Sequence, residues 1–153
     1  EASSILSKEF PVSTEDNPKK YLTIKGRWQV VQDKPKMVLD VGHNEQGVRA
    51  IVNQLGKESY DQLHILLGFS AEKEMDKILP LFPKEASYYI TKSTNERSAD
   101  PQIIATHIRS EKINCYLDFK EAFHYINKAM KKDDFVLICG SVFLVGDILQ
   151  EFF

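Results

Sequence analysis

Apolar residues recur along this chain in short runs, at Met37–Leu39, Leu63–Leu67, Tyr88–Ile90, Ile113–Leu117 and Phe135–Cys139. Between the runs the spacing changes from continuous to helical. Asn44 to Lys57 sets Val48, Ile51, Val52 and Leu55 on one face, with Asn44 placed to cap the first turn. Met75, Ile78, Leu79 and Phe82 form a second stripe that ends at Pro83. Ile103, Ile104, His107 and Ile108 form a third, begun by Asp100-Pro101, and Phe119 to Lys131 a fourth, with Ala122, Phe123, Ile126 and Met130 apolar. A last stripe runs from about Ser141 to Phe152 through Phe143, Leu144, Ile148 and Leu149.

Strands that alternate with helices, each bounded by turn residues, predict βαβ units and an α/β fold. The expected architecture is Rossmann-like: a mainly parallel sheet with helices on both faces. The stretch Arg27–Gln32 alternates Trp28 and Val30 with polar positions, and Asp33-Lys34-Pro35-Lys36 reads as a turn. It is therefore expected to pair antiparallel with Met37–Leu39 as an edge strand. Residues 1–20, with Pro11, Ser13, Asp16, Asn17 and Pro18, read as an irregular lead-in, and 21–153 as one domain.

Length and composition narrow the class. A chain of 153 residues suits one domain, and 42% hydrophobic with 27% charged residues is the balance of a soluble globular protein. A formal net charge of -2 gives no electrostatic reason to expect nucleic acid or an anionic membrane as partner. No apolar run approaches the roughly 20 residues that span a bilayer, and EASSILSKEF lacks the basic-then-apolar order of a secretion signal. Cys115 and Cys139 lie in apolar runs at no metal-ligand spacing, so each is expected to be a buried free thiol of a cytoplasmic protein. The chain starts with Glu and holds no GxxxxGK[ST] loop, which suggests a fragment or processed chain.

Doubly wound sheets bind ligands beyond the carboxyl ends of their strands. That rule selects Asp40-Val41-Gly42-His43, Gly68 to Lys73, Thr91 to Arg97 and Gly140-Ser141. Asp40 ends a buried strand and needs a donor; either it ties the backbone N–H groups of residues 42 and 43, or it accepts from ribose hydroxyls. His43 precedes a helix N-terminus, where an imidazole can meet phosphate oxygens or simply face solvent. Arg27 suits bidentate phosphate contact, yet a solvated surface arginine has the same appearance. Lys73 stands in a polar loop, as a carboxylate ligand or a plain surface lysine. Ser141 is fully explained as an N-cap, and Gly140-Ser141-Val142 lacks the elbow of a serine nucleophile. His64, His107 and His124 are scattered, and no metal site is expected in this domain.

Taken in order, GRWQVV (26–31), VLDVGHN (38–44), LLGFSAEKEMD (66–76), STNERS (93–98) and CGSVFLVGDIL (139–149) resemble the C-terminal domain of folylpolyglutamate synthase/dihydrofolate synthase, of the Mur ligase superfamily. The resemblance covers about residues 22 to 152. Glu45 stands where the family has proline, Gly42 is the small residue before the histidine, and Glu72-Lys73-Glu74 replaces an Asp-Lys-Asp. The resemblance implies ATP-dependent amide formation: ATP phosphorylates a folate or dihydropteroate carboxylate, and L-glutamate attacks the acyl phosphate. It implies that Arg27, Asp40 and His43 meet the nucleotide, Asp40 at the ribose and His43 at the phosphate or acyl phosphate, as the catalytic pair. It implies that Lys73 and Ser141 help to hold glutamate. It further implies that ATP is the cosubstrate and that Mg²⁺ is held mainly by an N-terminal ATPase domain outside this sequence; the isolated domain is expected to be monomeric and inactive. Two other readings stand beside it: a free-standing nucleotide-binding or regulatory module, and the C-terminal domain of a cell-wall Mur ligase.

Overall fold

The computed structural model describes residues 26–153; the expected lead-in 1–20 and residues 21–25 lie outside the described residues. The chain forms β1 (Gln29–Asp33), β2 (Lys36–Asp40), α1 (Glu45–Leu55), β3 (Leu63–Leu67) and α2 (Met75–Ile78), which runs into a 3₁₀ turn at Leu79–Leu81. It continues with β4 (Ser87–Ile90), α3 (Pro101–Ala105), β5 (Lys112–Cys115), α4 (Phe119–Ala129), β6 (Phe135–Cys139) and α5 (Val142–Phe152). The strands make one six-stranded sheet in the order β1-β2-β6-β3-β4-β5. Among the described strands, only β1 runs antiparallel, against β2 at the sheet edge. The remaining pairings are parallel, as the alternation predicts.

Position in the sheet follows from the apolar pattern. LHILL and FVLIC are buried at every residue, because β3 and β6 lie centrally with helices on both faces. KINC alternates exposed and half-buried, as befits the outer strand β5. Val38, Ile65, Leu67, Tyr88, Ile90 and Leu137 face α1, α2 and α3, which contribute Val48, Ile51, Ile78 and Ile104. Met37, Leu39, Leu66, Tyr89, Val136 and Ile138 face α4 and α5, which contribute Phe119, Phe123, Ile126, Leu144 and Ile148.

Three helical stripes are trimmed by local chemistry. Pro80 has no N–H to donate, so the second stripe is a short α-helix followed by a 3₁₀ turn. The third ends at Ala105 instead of including His107 and Ile108; Thr106 Oγ1 donates back to the Ile103 carbonyl, and Ile108 reaches the core from the next turn. The fourth stops at Ala129, short of Lys131, with Met130 already extended at the C-cap. The strand expected at Ile113–Leu117 stops at Cys115, and Leu117 is 74% exposed.

Candidate functional site

The parallel register aligns Asp40, Cys139, Leu67, Ile90 and Cys115 in one row across the carboxyl edge of the sheet. From this edge the chain leaves β2 and β3 toward one face and β6 toward the other. Neighbouring strands whose connections diverge open a crevice, here above β6 between the start of α1 and the start of α5. Its floor is tight. Gly140 has φ 100°, and a Cβ there would stand 2.0 Å from the Gly68 carbonyl oxygen, so glycine alone lets the β6 and β3 turns meet.

At the β2 end, Asp40 is 9% exposed. Its Oδ1 accepts from the Gly42 N–H at 2.8 Å and its Oδ2 from the Trp28 N–H at 3.0 Å. The carboxylate therefore ties its own loop to the chain entering β1, where the expected second donor was residue 43. Trp28 has φ 46°, an uncommon value for a bulky residue, and is held there by this bond and by its indole against the ring of Phe135, 5.9 Å away. Burial raises the Asp40 pKa, opposed by the two N–H bonds and by the nearby Arg27 charge. Arg27, exposed at the edge, is thus in electrostatic reach of Asp40.

His43 Nδ1 lies 3.0 Å from the Val41 carbonyl. A carbonyl only accepts, so Nδ1 carries the proton, and Nε2 is left for a ligand. The next residue, Asn44, caps α1 through the Gly47 N–H at 2.7 Å. His43 thereby stands at the positive end of an 11-residue helix.

At the other side of the crevice Ser141 Oγ accepts from the Phe143 and Leu144 N–H groups, at 3.1 and 3.3 Å, as the N-cap of α5. Its hydroxyl proton remains available to donate. Lys73 is half-buried in the turn after β3, its N–H bonded to the Ser70 carbonyl. That turn is joined to the loop after β4 by Ala71 N–H to the Arg97 carbonyl and Ala99 N–H to the Phe69 carbonyl, both 2.8 Å, and Glu72 approaches Arg97 at 3.9 Å.

The structure gathers the five expected residues along one edge, in two groups. Arg27, Asp40 and His43 share the β2 end. Ser141 stands over β6, and Lys73 lies beyond it over β3. Among the described residues, no hydrogen bond joins Lys73 to Ser141. Sequence reading missed Trp28 as a backbone donor and Asp147 as the partner of Thr94, whose N–H and hydroxyl both reach its carboxylate. Neither had a readable signal, since each depends on contacts between segments distant in sequence.

Among the described residues, no three His, Cys, Asp or Glu side chains converge as a metal site. No helix among them is long and apolar enough to cross a membrane. The thiols of Cys115 and Cys139 are free, the first half-buried and the second buried. Burial raises the pKa of both, which suits inert thiols. A surface depression lined by Arg49, Asn53, Gly56 and Leu81 flanks α1 and contains none of the strand-end residues.

The dihydrofolate synthase/folylpolyglutamate synthase of Buchnera aphidicola subsp. Schizaphis graminum is 23% identical over 129 residues, covering 83% of this chain and 31% of the relative. The bifunctional folylpolyglutamate synthase/dihydrofolate synthase of Yersinia pestis, complexed with AMPPNP and Mn ion, superposes with TM-score 0.75 at 24% identity, covering 82% of this chain and 30% of that one. A bifunctional folylpolyglutamate synthase/dihydrofolate synthase with Mn, AMPPNP and L-glutamate bound gives TM-score 0.72 at 24% identity, over 93% of this chain and 36% of that one. The chain thus spans about a third of the length of the curated relative it matches. The glutamate ligase domain family of the Mur ligases matches residues 26–142, most of the described fold and every strand-end residue above, and the chain belongs to that family.

Proposed function

We propose that this domain forms the closing half of an ATP-dependent ligase that adds L-glutamate to a folate or dihydropteroate carboxylate. The observation that carries the proposal is the clustering of Arg27, the tethered Asp40 carboxylate and His43 at the switch-point end of β2. In this reading a substrate carboxylate oxygen attacks the γ-phosphorus of ATP and ADP departs. The glutamate amine then attacks the acyl carbon, losing a proton as phosphate leaves.

The chemistry of the chain's residues suits these tasks. Arg27 offers a planar donor set to phosphate oxygens. Asp40 has one backbone donor on each oxygen, and a carboxylate has further lone pairs for ribose hydroxyls. His43 can donate from Nε2 to a phosphoryl or acyl-phosphate oxygen once that nitrogen is protonated. Lys73 supplies a cation and Ser141 a hydroxyl to the carboxylates of glutamate. The named relatives support the substrate class: one is a dihydrofolate synthase/folylpolyglutamate synthase, and a structural neighbour, a bifunctional folylpolyglutamate synthase/dihydrofolate synthase, was solved with AMPPNP, Mn and L-glutamate. Phosphate cradling and Mg²⁺ are assigned to an N-terminal ATPase domain of the whole protein, which would act in the cytoplasm.

Steady-state kinetics of the full-length protein test this. His43→Ala is expected to lower kcat about 10²-fold, as for loss of one placed transition-state donor. Lys73→Ala is expected chiefly to raise KM for L-glutamate, because a carboxylate clamp binds ground and transition states alike. Near-wild-type constants for both variants would refute the site.

A further inference from the structure

We infer that Asp147, on α5, is a positioning residue for the amino-acid side of the crevice, acting through Thr94; this rests on the glutamate-ligase reading above. The Thr94 N–H donates to Asp147 Oδ2 at 2.8 Å, and Thr94 Oγ1 lies 3.0 and 3.2 Å from the two carboxylate oxygens. The two residues are 53 apart in sequence. Asp147 sits on the helix that follows β6, and Thr94 in the loop that follows β4. Since β3 lies between those strands, the contact crosses its carboxyl end.

From Thr94 the order passes on without a break. Asn95 N–H donates to Ser93 Oγ, Arg97 N–H to Asn95 Oδ1 at 2.8 Å, and Ser98 N–H to the Asn95 carbonyl. The hydroxyls of Ser93 and Ser98 bond each other. The Arg97 carbonyl then accepts from Ala71, in the turn that carries Lys73. One carboxylate on α5 thus fixes the loop of Arg97 and, through it, the turn of Lys73. Among the described residues Asp147 forms no ion pair, so its charge is answered by Thr94 rather than by a cation. The contact is exposed at Thr94, and exposed polar pairs add little to global stability. Placement of ligand-holding groups, by contrast, is sensitive to shifts of an ångström.

The test compares Asp147→Ala, Asp147→Asn and Thr94→Val in the full-length ligase. Asp147→Ala is expected to raise KM for L-glutamate about tenfold, with kcat and KM for ATP within about twofold of wild type. Asp147→Asn keeps an acceptor for the Thr94 N–H and should restore most of that loss. Thr94→Val keeps the N–H but not the hydroxyl, and should fall between. Equal effects on all constants, a large fall in melting temperature, or an unchanged KM for glutamate in Asp147→Ala would overturn the inference. Failure of the wild-type enzyme to add glutamate would instead remove the ligase reading, and the inference with it.

Discussion

Asp40 serves two ends of the chain at once, and its substitution separates structure from chemistry. Its carboxylate is the acceptor for the partly buried N–H groups of both Trp28 and Gly42. Asp40→Ala leaves both donors unanswered and removes the bond that holds Trp28 at positive φ, at a cost of about 2–4 kcal/mol. Asp40→Asn can satisfy only one of them, because its amide group turns a donor toward the other. A lower melting temperature in both variants, with alanine the worse, is therefore expected from thermal unfolding of the isolated chain. Sequence alone offers Asp40 as a tie within its own loop or as a ribose ligand, with no contact to the start of β1. The tether to Trp28 changes that, so a loss of ligation in Asp40→Ala would not by itself assign Asp40 to the ribose. His43 is the cleaner probe, since among the described residues its side chain bonds only the Val41 carbonyl of its own loop.

At the scale of the element, α5 combines a well-made start with a weak middle. Ser141 satisfies two of the free N–H groups of its first turn, and Leu144, Val145 and Ile148 bury its inner face. Gly146 lies in the helix interior, and a Cβ placed on it would meet nothing within 4 Å. Glycine in such a position costs roughly 0.5–1 kcal/mol relative to alanine through backbone entropy. Gly146→Ala is thus expected to stabilise the isolated chain by about that amount in urea unfolding, and a loss of stability would show that the helix is crowded there. Gly140, just before the N-cap of the same helix, should behave in the opposite way. Its positive φ and the Gly68 carbonyl leave no room for a methyl group.

For the whole molecule, acid sensitivity has an identifiable source at the amino edge of the sheet, opposite the crevice. His64 Nε2 lies 2.9 Å from Asp134 Oδ2, and His64 Nδ1 lies 3.2 Å from the Tyr89 hydroxyl, all three side chains being buried. Burial pushes the Asp134 pKa up, but the His64 hydrogen bond and the Lys131 N–H more than offset this, leaving it below the usual 3.8. A carboxyl with a lowered native pKa binds fewer protons folded than unfolded, so its contribution is complete above 3.8 and is lost as pH falls through the native value. Stability measured by urea unfolding from about pH 5 to pH 2 should decline less steeply in Asp134→Asn than in wild type. An unchanged slope would show that the His64–Asp134 pair does not govern acid unfolding. Asp40 has the opposite sign. Its raised pKa makes its own contribution fall as pH rises above 3.8.

The one-dimensional pattern determined a great deal of this protein, because burial on one or both faces imposes periodicity that is visible along the chain. LHILL and FVLIC announced strands, Val48, Ile51 and Leu55 announced an inward helix face, and Asn44, Asp100 and Ser141 announced helix starts that the structure keeps as side-chain caps. The ordered motifs named the family, and the rule for parallel sheets selected the strand-end residues. Beyond the hairpin of β1 and β2, tertiary structure alone decided which strands are neighbours. Inserting β6 between β2 and β3 brings Gly140 against Gly68 and sets α5 opposite α1, and local sequence carries no trace of that choice. It also decided where polar groups found partners. Asp40 meets Trp28 and Asp147 meets Thr94 across many intervening residues, because buried or constrained donors bond whatever acceptor the fold delivers. Periodicity reports which side of an element is covered; it cannot report by what.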